Sequence, residues 1–384
     1  MTSLYLLPII AYAIVVLYYY YFNKNKSSFQ TKTSWIKNGF SLFVVKFSIT
    51  TPLLYSGVIH SEGISGLWLF WSAYAVAGFS PFVFAPLWAK LNFTTDNQFL
   101  LFRFSSKGAK ALHLFRAVYV GWIIVAFLMS FQLLALLKVV TFITGWERFT
   151  SLGIISILLI TIAIKNKLGA NIHLDFFNTI LIGAVFIFIL IFLILTPSAT
   201  TESTKIIELS PIFPVNKWNM MVLFFVQTWS VNLFDGSGIE AQRFFSTKKK
   251  SNAWKVAILS SSLAVLFSLI IVFINYLGAN KFETPNLQDK EMYILVYLQS
   301  GLPNWFSPFI LVAFFAAFIT SFEGLLNWGA SYLTIDGYKT YLNPKANRKR
   351  LSYISIITML IIVVTSLVTT YFNDNLTVLT KIFF

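Results

Sequence analysis

WFSPFILVAFFAAFITSFEGLLNWGASYLTI, residues 305–335, contains a single charged side chain, Glu323. The run is longer than the ~20 residues that cross a bilayer. A helix at a soluble surface would show a broad polar face every three or four positions. Here there is only a stripe: Ala316, Thr320, Glu323 and Asn327 follow i, i+4, i+7, i+11 spacing, with Ala317 and Ser321 beside it. The rest of the chain has the same character, 57% hydrophobic and 11% charged, where soluble domains carry roughly 25% charge. So few charges cannot cover a soluble surface. Outer-membrane strands would alternate over about ten residues, and no such pattern is present. The sequence therefore reads as an all-α integral membrane protein.

Working outward from this run, ten apolar spans are expected: 3–22, 38–58, 64–89, 115–138, 149–165, 176–198, 218–234, 254–279, 305–335 and 351–373. The connections after odd spans hold most of the Lys and Arg, for example Lys107, Lys110, Lys248, Lys249, Lys250, Arg348, Lys349 and Arg350. The connections after even spans hold only Lys138, Arg148, Lys205, Lys217, Lys281 and Lys290, together with most of the acids. The positive-inside rule then predicts a multi-pass protein of the cell (plasma or inner) membrane with its N-terminus outside. The same distribution assigns the net charge of +15 to a membrane face, not to a nucleic-acid partner. There is no cysteine, and His60, His113 and His173 lack metal-ligand spacing. The first span lacks a basic n-region and a small-residue cleavage site, so it reads as a retained helix.

Ionisable residues inside spans are costly and mark sites. Lys46 lies near the middle of NGFSLFVVKFSITTPLLYSG, residues 38–57, where Pro52 removes a backbone donor and predicts a broken helix. Read without a partner, Lys46 could snorkel to an interface. Glu323 sits midway along its run. Asp175 opens the sixth span in NIHLDFFNTIL, where a helix N-terminus also favours a carboxylate. Two isolated charges in lipid are expected to pair, so Lys46 and Glu323 are expected to form an ion pair.

Several stretches resemble the sodium/solute symporter family: AAFITSFEGLLNWGASYLTIDGYK (316–339), LWAKLNFTTDNQFLLFRFSSKGAKALHLFRAVYVG (87–121), IEAQRFFSTKK (239–249) and SITTPLLYSG (48–57). They occur in the family's order and span most of the chain. The resemblance implies one transporter domain over 1–384. It would have an extra N-terminal helix and loop (1–37), a first repeat (38–198) and an inverted second repeat (218–373) that is incomplete, since the family continues beyond KIFF. It implies a sodium site formed by the carbonyls of Val44, Phe47 and Ala317 and the hydroxyls of Thr320 and Ser321. Asp175 corresponds to a carboxylate on the ion pathway, and Thr51 to a substrate contact, with Trp229 facing the same cavity. Sodium is the only metal implied, as coupling ion, and no cofactor is. Lys46 and Glu323 depart from the family pattern.

The leading reading is sodium-coupled symport of a small solute across the lipid bilayer by alternating access. A sodium-independent or proton-coupled variant, or a non-transporting relative, is the alternative that the two charges raise. A membrane-embedded transferase would need a base or nucleophile deep in a span. His60 and His113 lie at span ends, so an enzyme is not expected.

Overall fold

The computed structural model describes residues 6–22, 32–79, 81–91, 93–165, 172–197, 212, 221–222, 236–282 and 287–373. The first set of helices is α1 (Leu6–Phe22), α2 (Trp35–Lys46), α3 (Thr50–Glu62), α4 (Trp68–Phe79), α5 (Pro81–Lys90), α6 (Gln98–Arg103), α7 (Lys107–Val118), α8 (Val125–Thr144), α9 (Arg148–Lys165) and α10 (Ile172–Leu195). The second set is α11 (Ile239–Phe245), α12 (Ala253–Lys281), α13 (Tyr293–Gly301), α14 (Ser307–Ser331) and α15 (Arg348–Tyr371). Among the described residues there is no strand, only an isolated parallel bridge between Thr33 and Thr247.

Among the described residues, five helical stretches are long and apolar enough to cross a membrane: 107–144, 172–195, 250–281, 304–342 and 348–371. α2 and α3 qualify only as a pair, bent by 53°. α1 and α9 are shorter apolar helices. Helices thus stand where spans one to six and eight to ten are expected. The expected seventh span lies outside the described residues apart from 221–222.

Local chemistry sets the ends of these elements. Ser34, Ser106 and Asn347 cap α2, α7 and α15, each side chain accepting a backbone N–H from the first turn. α8 ends at Gly145, whose φ of 69° closes the helix in a conformation that suits glycine. Pro308 sits in the first turn of α14, where its missing N–H costs nothing.

The stretch that opened the sequence reading becomes the centre of the molecule. α14 packs against α1, α2, α8, α10 and α15, and every residue from Ala316 to Ser331 is buried. Two π-helical stretches, Tyr119–Ile124 after α7 and Tyr332–Leu342 after α14, lie against each other. A Cβ added to Gly329 would meet the Gly121 carbonyl oxygen at 2.5 Å, so only glycine allows this approach. Small residues at such contacts let membrane helices pack by close backbone approach.

Candidate functional site

The break in span two begins at Phe47, whose φ of −81° and ψ of 83° leave the helical region. In a continuous helix the Ser48 N–H would bond to the Val44 carbonyl, and the Thr51 N–H to that of Phe47. Instead Ser48 N reaches Lys46 O at 3.1 Å and Thr51 N reaches Ser48 O at 3.0 Å. Pro52 has no N–H to offer Ser48 O, and its ring disfavours an uninterrupted helix through residue 48. The Ser48 side chain also accepts the Thr50 N–H at 3.3 Å. The carbonyls of Val44 and Phe47 therefore lose their helical donors, and both residues are buried.

α14 passes beside this break. A Cβ on Gly324 would meet Val45 Cγ2 at 2.6 Å, so the two helices touch there. Thr320 and Ser321 lie one turn away on α14, both fully buried. Thr320 Oγ1 accepts from Asn178 Nδ2 at 2.6 Å and lies 3.0 Å from Ala316 O. Ser321 Oγ lies 2.7 Å from Ala317 O and 3.0 Å from Gln132 Oε1. Asn178 Oδ1 in turn accepts from the Tyr12 hydroxyl at 3.3 Å, which brings α1 into the cluster. Carbonyl and hydroxyl oxygens are the donor set a small hard cation takes.

Asp175 is buried one turn before Asn178 on α10 and accepts a hydrogen bond from Ser41 of α2. The Arg243 guanidinium lies within its electrostatic reach. α2 and α10 are thus tied together about a turn and a half before the break.

The expected Lys46–Glu323 ion pair does not form. Lys46 closes α2 and extends to Glu240 in the first turn of α11, forming a salt bridge in which Glu240 is buried. Lys46 is the last helical residue before the bend. Glu323 Oε1 is buried, and no described residue donates a hydrogen bond to it. Both polar side-chain atoms of Asn327, one turn on, are in the same condition.

Thr51 is buried in the first turn of α3. Trp229 lies outside the described residues. Between α4 and α12 there is a cavity of about 550 Å³, bounded among the described residues by Trp68, Trp71, Tyr74, Ser261, Ser262, Val265 and Leu269. Trp71 Nε1 donates to Ser268 Oγ at 2.6 Å, and the Tyr55 hydroxyl lies 3.4 Å from that of Tyr74. These contacts link α3 to α4 and α12 at the cavity's edge.

Motifs that the sequence reading used only for resemblance meet in a buried polar knot at the basic end of α14. Tyr332 OH donates to Asp96 Oδ1 at 2.7 Å, and Arg116 Nη2 lies 3.4 Å from Asp96 Oδ2. Thr95 Oγ1 is 2.8 Å from both oxygens of Asp336, and His113 Nε2 is 3.7 Å from Asp336 Oδ1. Burial pushes the Asp96 carboxyl above the usual carboxylate range, while the Tyr332 hydroxyl, the Arg116 guanidinium and the Gly238 N–H act in the opposite direction. Glu240, Asn178 and Gln132 are the site residues that sequence reasoning missed. Asn178 was within reach of it, at i+3 from Asp175 on the same helix face. Glu240 and Gln132 had no local signal.

A broken membrane helix with freed carbonyls thus lies beside a central helix carrying two buried hydroxyls, a set of oxygens that suits a small hard cation. Residues 30–384 match the model of the sodium:solute symporter family, and the chain belongs to that family. Its members couple transport to Na⁺, and they are transporters, not enzymes. No curated protein matches the chain. A solved Na⁺-coupled sialic acid symporter, in a substrate-bound outward-open state, is similar in fold. Its TM-score is 0.79 at 14% identity, covering 96% of this chain and 81% of that one.

Proposed function

We propose that this protein uses a sodium gradient to drive uptake of a small solute by alternating access. The observation that carries this reading is the break at Phe47, which frees the carbonyls of Val44 and Phe47 next to Thr320 and Ser321. A sodium ion held by those carbonyls, the Ala317 carbonyl and the two hydroxyls would bridge α2 and α14. Ion binding acts by preferring one of two states, and a bridge between these helices favours the state in which they are closest. Asp175, beside α2 on the basic side, would receive the ion on its way inward. The basic face is then cytoplasmic, the N-terminus outside, and the membrane a cell membrane. The first repeat (38–198) and inverted second repeat (218–373) are read as the five-plus-five fold of such transporters, which fits a broken second span, with the solute near the midplane between broken helices. Thr51 and Trp229 are proposed to contact the solute. The cavity between α4 and α12 would offer it aromatic faces and serine hydroxyls.

Sodium itself is the first probe. Purified protein should melt at a higher temperature in NaCl than in equal choline chloride, because a ligand bound only to the folded state stabilises it. Thr320→Ala and Ser321→Ala should each raise the half-saturating sodium concentration by about tenfold, the effect of losing one charge-assisted contact of ~1.5 kcal/mol. A sodium-gradient uptake screen in proteoliposomes then identifies the solute. A protein whose melting is indifferent to sodium, and which accumulates nothing under the gradient, would not be a sodium symporter.

A further inference from the structure

We infer that Lys46 and Glu240 form an inner strap that positions the sodium site, holding the break of span two to the basic end of α14. The inference rests on the sodium reading above, and it assigns a role to two charges that reading does not use.

The strap can be followed atom by atom. Lys46 ends α2 between the two carbonyls freed by the break, and its ammonium pairs with Glu240. Glu240 stands on a corner built by Gly236 and Gly238, with φ of 65° and 67°. A Cβ on Gly236 would meet Phe244 Cε2 at 2.8 Å, so the corner admits only glycine there and is held rigid by packing. The Gly238 N–H acts favourably on the Asp96 carboxylate, and Asp96 accepts from Tyr332, which continues α14. The chain of contacts therefore leaves span two at the sodium site and returns to span nine about three turns closer to the basic face. Asn38 reinforces it, donating to Arg243 O at 3.2 Å and to Thr247 Oγ1 at 3.1 Å.

Two consequences follow. With the strap closed, α2 cannot swing away from α11, so the route from the sodium site to the basic face is shut. The same contact fixes the end of α2, and with it the directions of the Val44 and Phe47 carbonyls. Releasing the strap should therefore weaken sodium binding and open the inner route together.

The sign of the sodium effect separates this role from simple electrostatics. Removing the positive charge of Lys46, and leaving Glu240 negative, would by charge alone tighten binding of a nearby cation. The strap predicts the reverse. In the full-length protein, Lys46→Met should raise the half-saturating NaCl concentration for thermal stabilisation at least about fivefold, the lower end of ordinary coupling between sites. Glu240→Gln should do the same, Lys46→Arg should stay near wild type, and the double charge swap Lys46→Glu with Glu240→Lys should recover most of the loss. The chain has no native cysteine, so Asn327→Cys gives a single reporter on α14 between the sodium site and the knot. In sodium-free proteoliposomes, an impermeant maleimide applied to the basic face should label it about fivefold faster when Glu240→Gln is added. Tighter sodium binding in Lys46→Met, or labelling unchanged by Glu240→Gln, would overturn the strap. Wild-type protein that sodium does not stabilise would overturn the sodium reading instead, while the labelling comparison would still test the inner closure.

Discussion

At the scale of single residues, the two intramembrane charges separate once their surroundings are known. Lys46 is compensated by Glu240, whereas Glu323 is buried with an oxygen that no described residue satisfies. An uncompensated buried carboxylate costs stability, and Tyr12 lies within its electrostatic reach. Glu323 is three residues from Thr320 on the same stripe, so in its ionised form it would favour a cation nearby. Glu323→Gln is therefore expected to raise the melting temperature in sodium-free buffer and to reduce the further rise that sodium produces. Paired melting curves in NaCl and choline chloride measure both. The stripe of Ala316, Thr320, Glu323 and Asn327 was legible from spacing alone. The partner of Lys46 was not, because it lies 194 residues away in the chain and only packing brings it near.

At the scale of elements, the molecule depends on close helix contacts and on a clamp at the face opposite the knot. Gly329 and Gly121 meet backbone to backbone. Gly329→Ala must push α14 away from the π-helical part of span four, at a cost of ~1–3 kcal/mol for overpacking. It should lower the melting temperature, and the companion change Gly153→Ala, where an added Cβ meets nothing within 4 Å, should not. On the face opposite the knot, Lys138 of α8 holds Asp289 at 2.6 Å and Glu291 at 2.7 Å. This fastens the segment leading into α13 over α3, where Ile294 N bonds Ser56 Oγ at 3.1 Å. Glu291 is nearly buried while Asp289 is 41% exposed. Exposed pairs contribute ~0–1 kcal/mol and broken buried ones cost more. Glu291→Gln should therefore destabilise the protein clearly more than Asp289→Asn, as read by thermal unfolding. Helix positions and the broken second span were legible from apolar run length and Pro52. The Gly121–Gly329 contact was not, because the two glycines lie far apart in the chain and only packing brings them together.

At the scale of the whole molecule, three layers of polar contact are arranged along α14: the clamp at one face, the hydroxyls and freed carbonyls near the middle, and the Asp96–Asp336 knot at the basic face. In the alternating access proposed above, the clamp and the knot would open in turn, with the middle layer deciding which. Sodium in excess should slow labelling of Asn327→Cys from the basic face in the otherwise wild-type chain. Choline at the same concentration should leave it unchanged, since a ligand moves an equilibrium only by its differential affinity for the two states.

The sequence by itself determined that the chain is a helical membrane protein, where most of its helices lie, that span two breaks, and which hydroxyls stand on the buried stripe. These follow from run length, helical period and the missing donor of proline, all of which act within a few residues. Only the tertiary structure decided that Lys46 pairs with Glu240 and not Glu323, that Asn178 and Gln132 join the site, and that the scattered loop motifs converge on Asp96 and Asp336. Those choices depend on which side chains meet after packing. A buried charge takes whichever counter-charge the fold brings within reach, and spacing along the chain does not encode that distance.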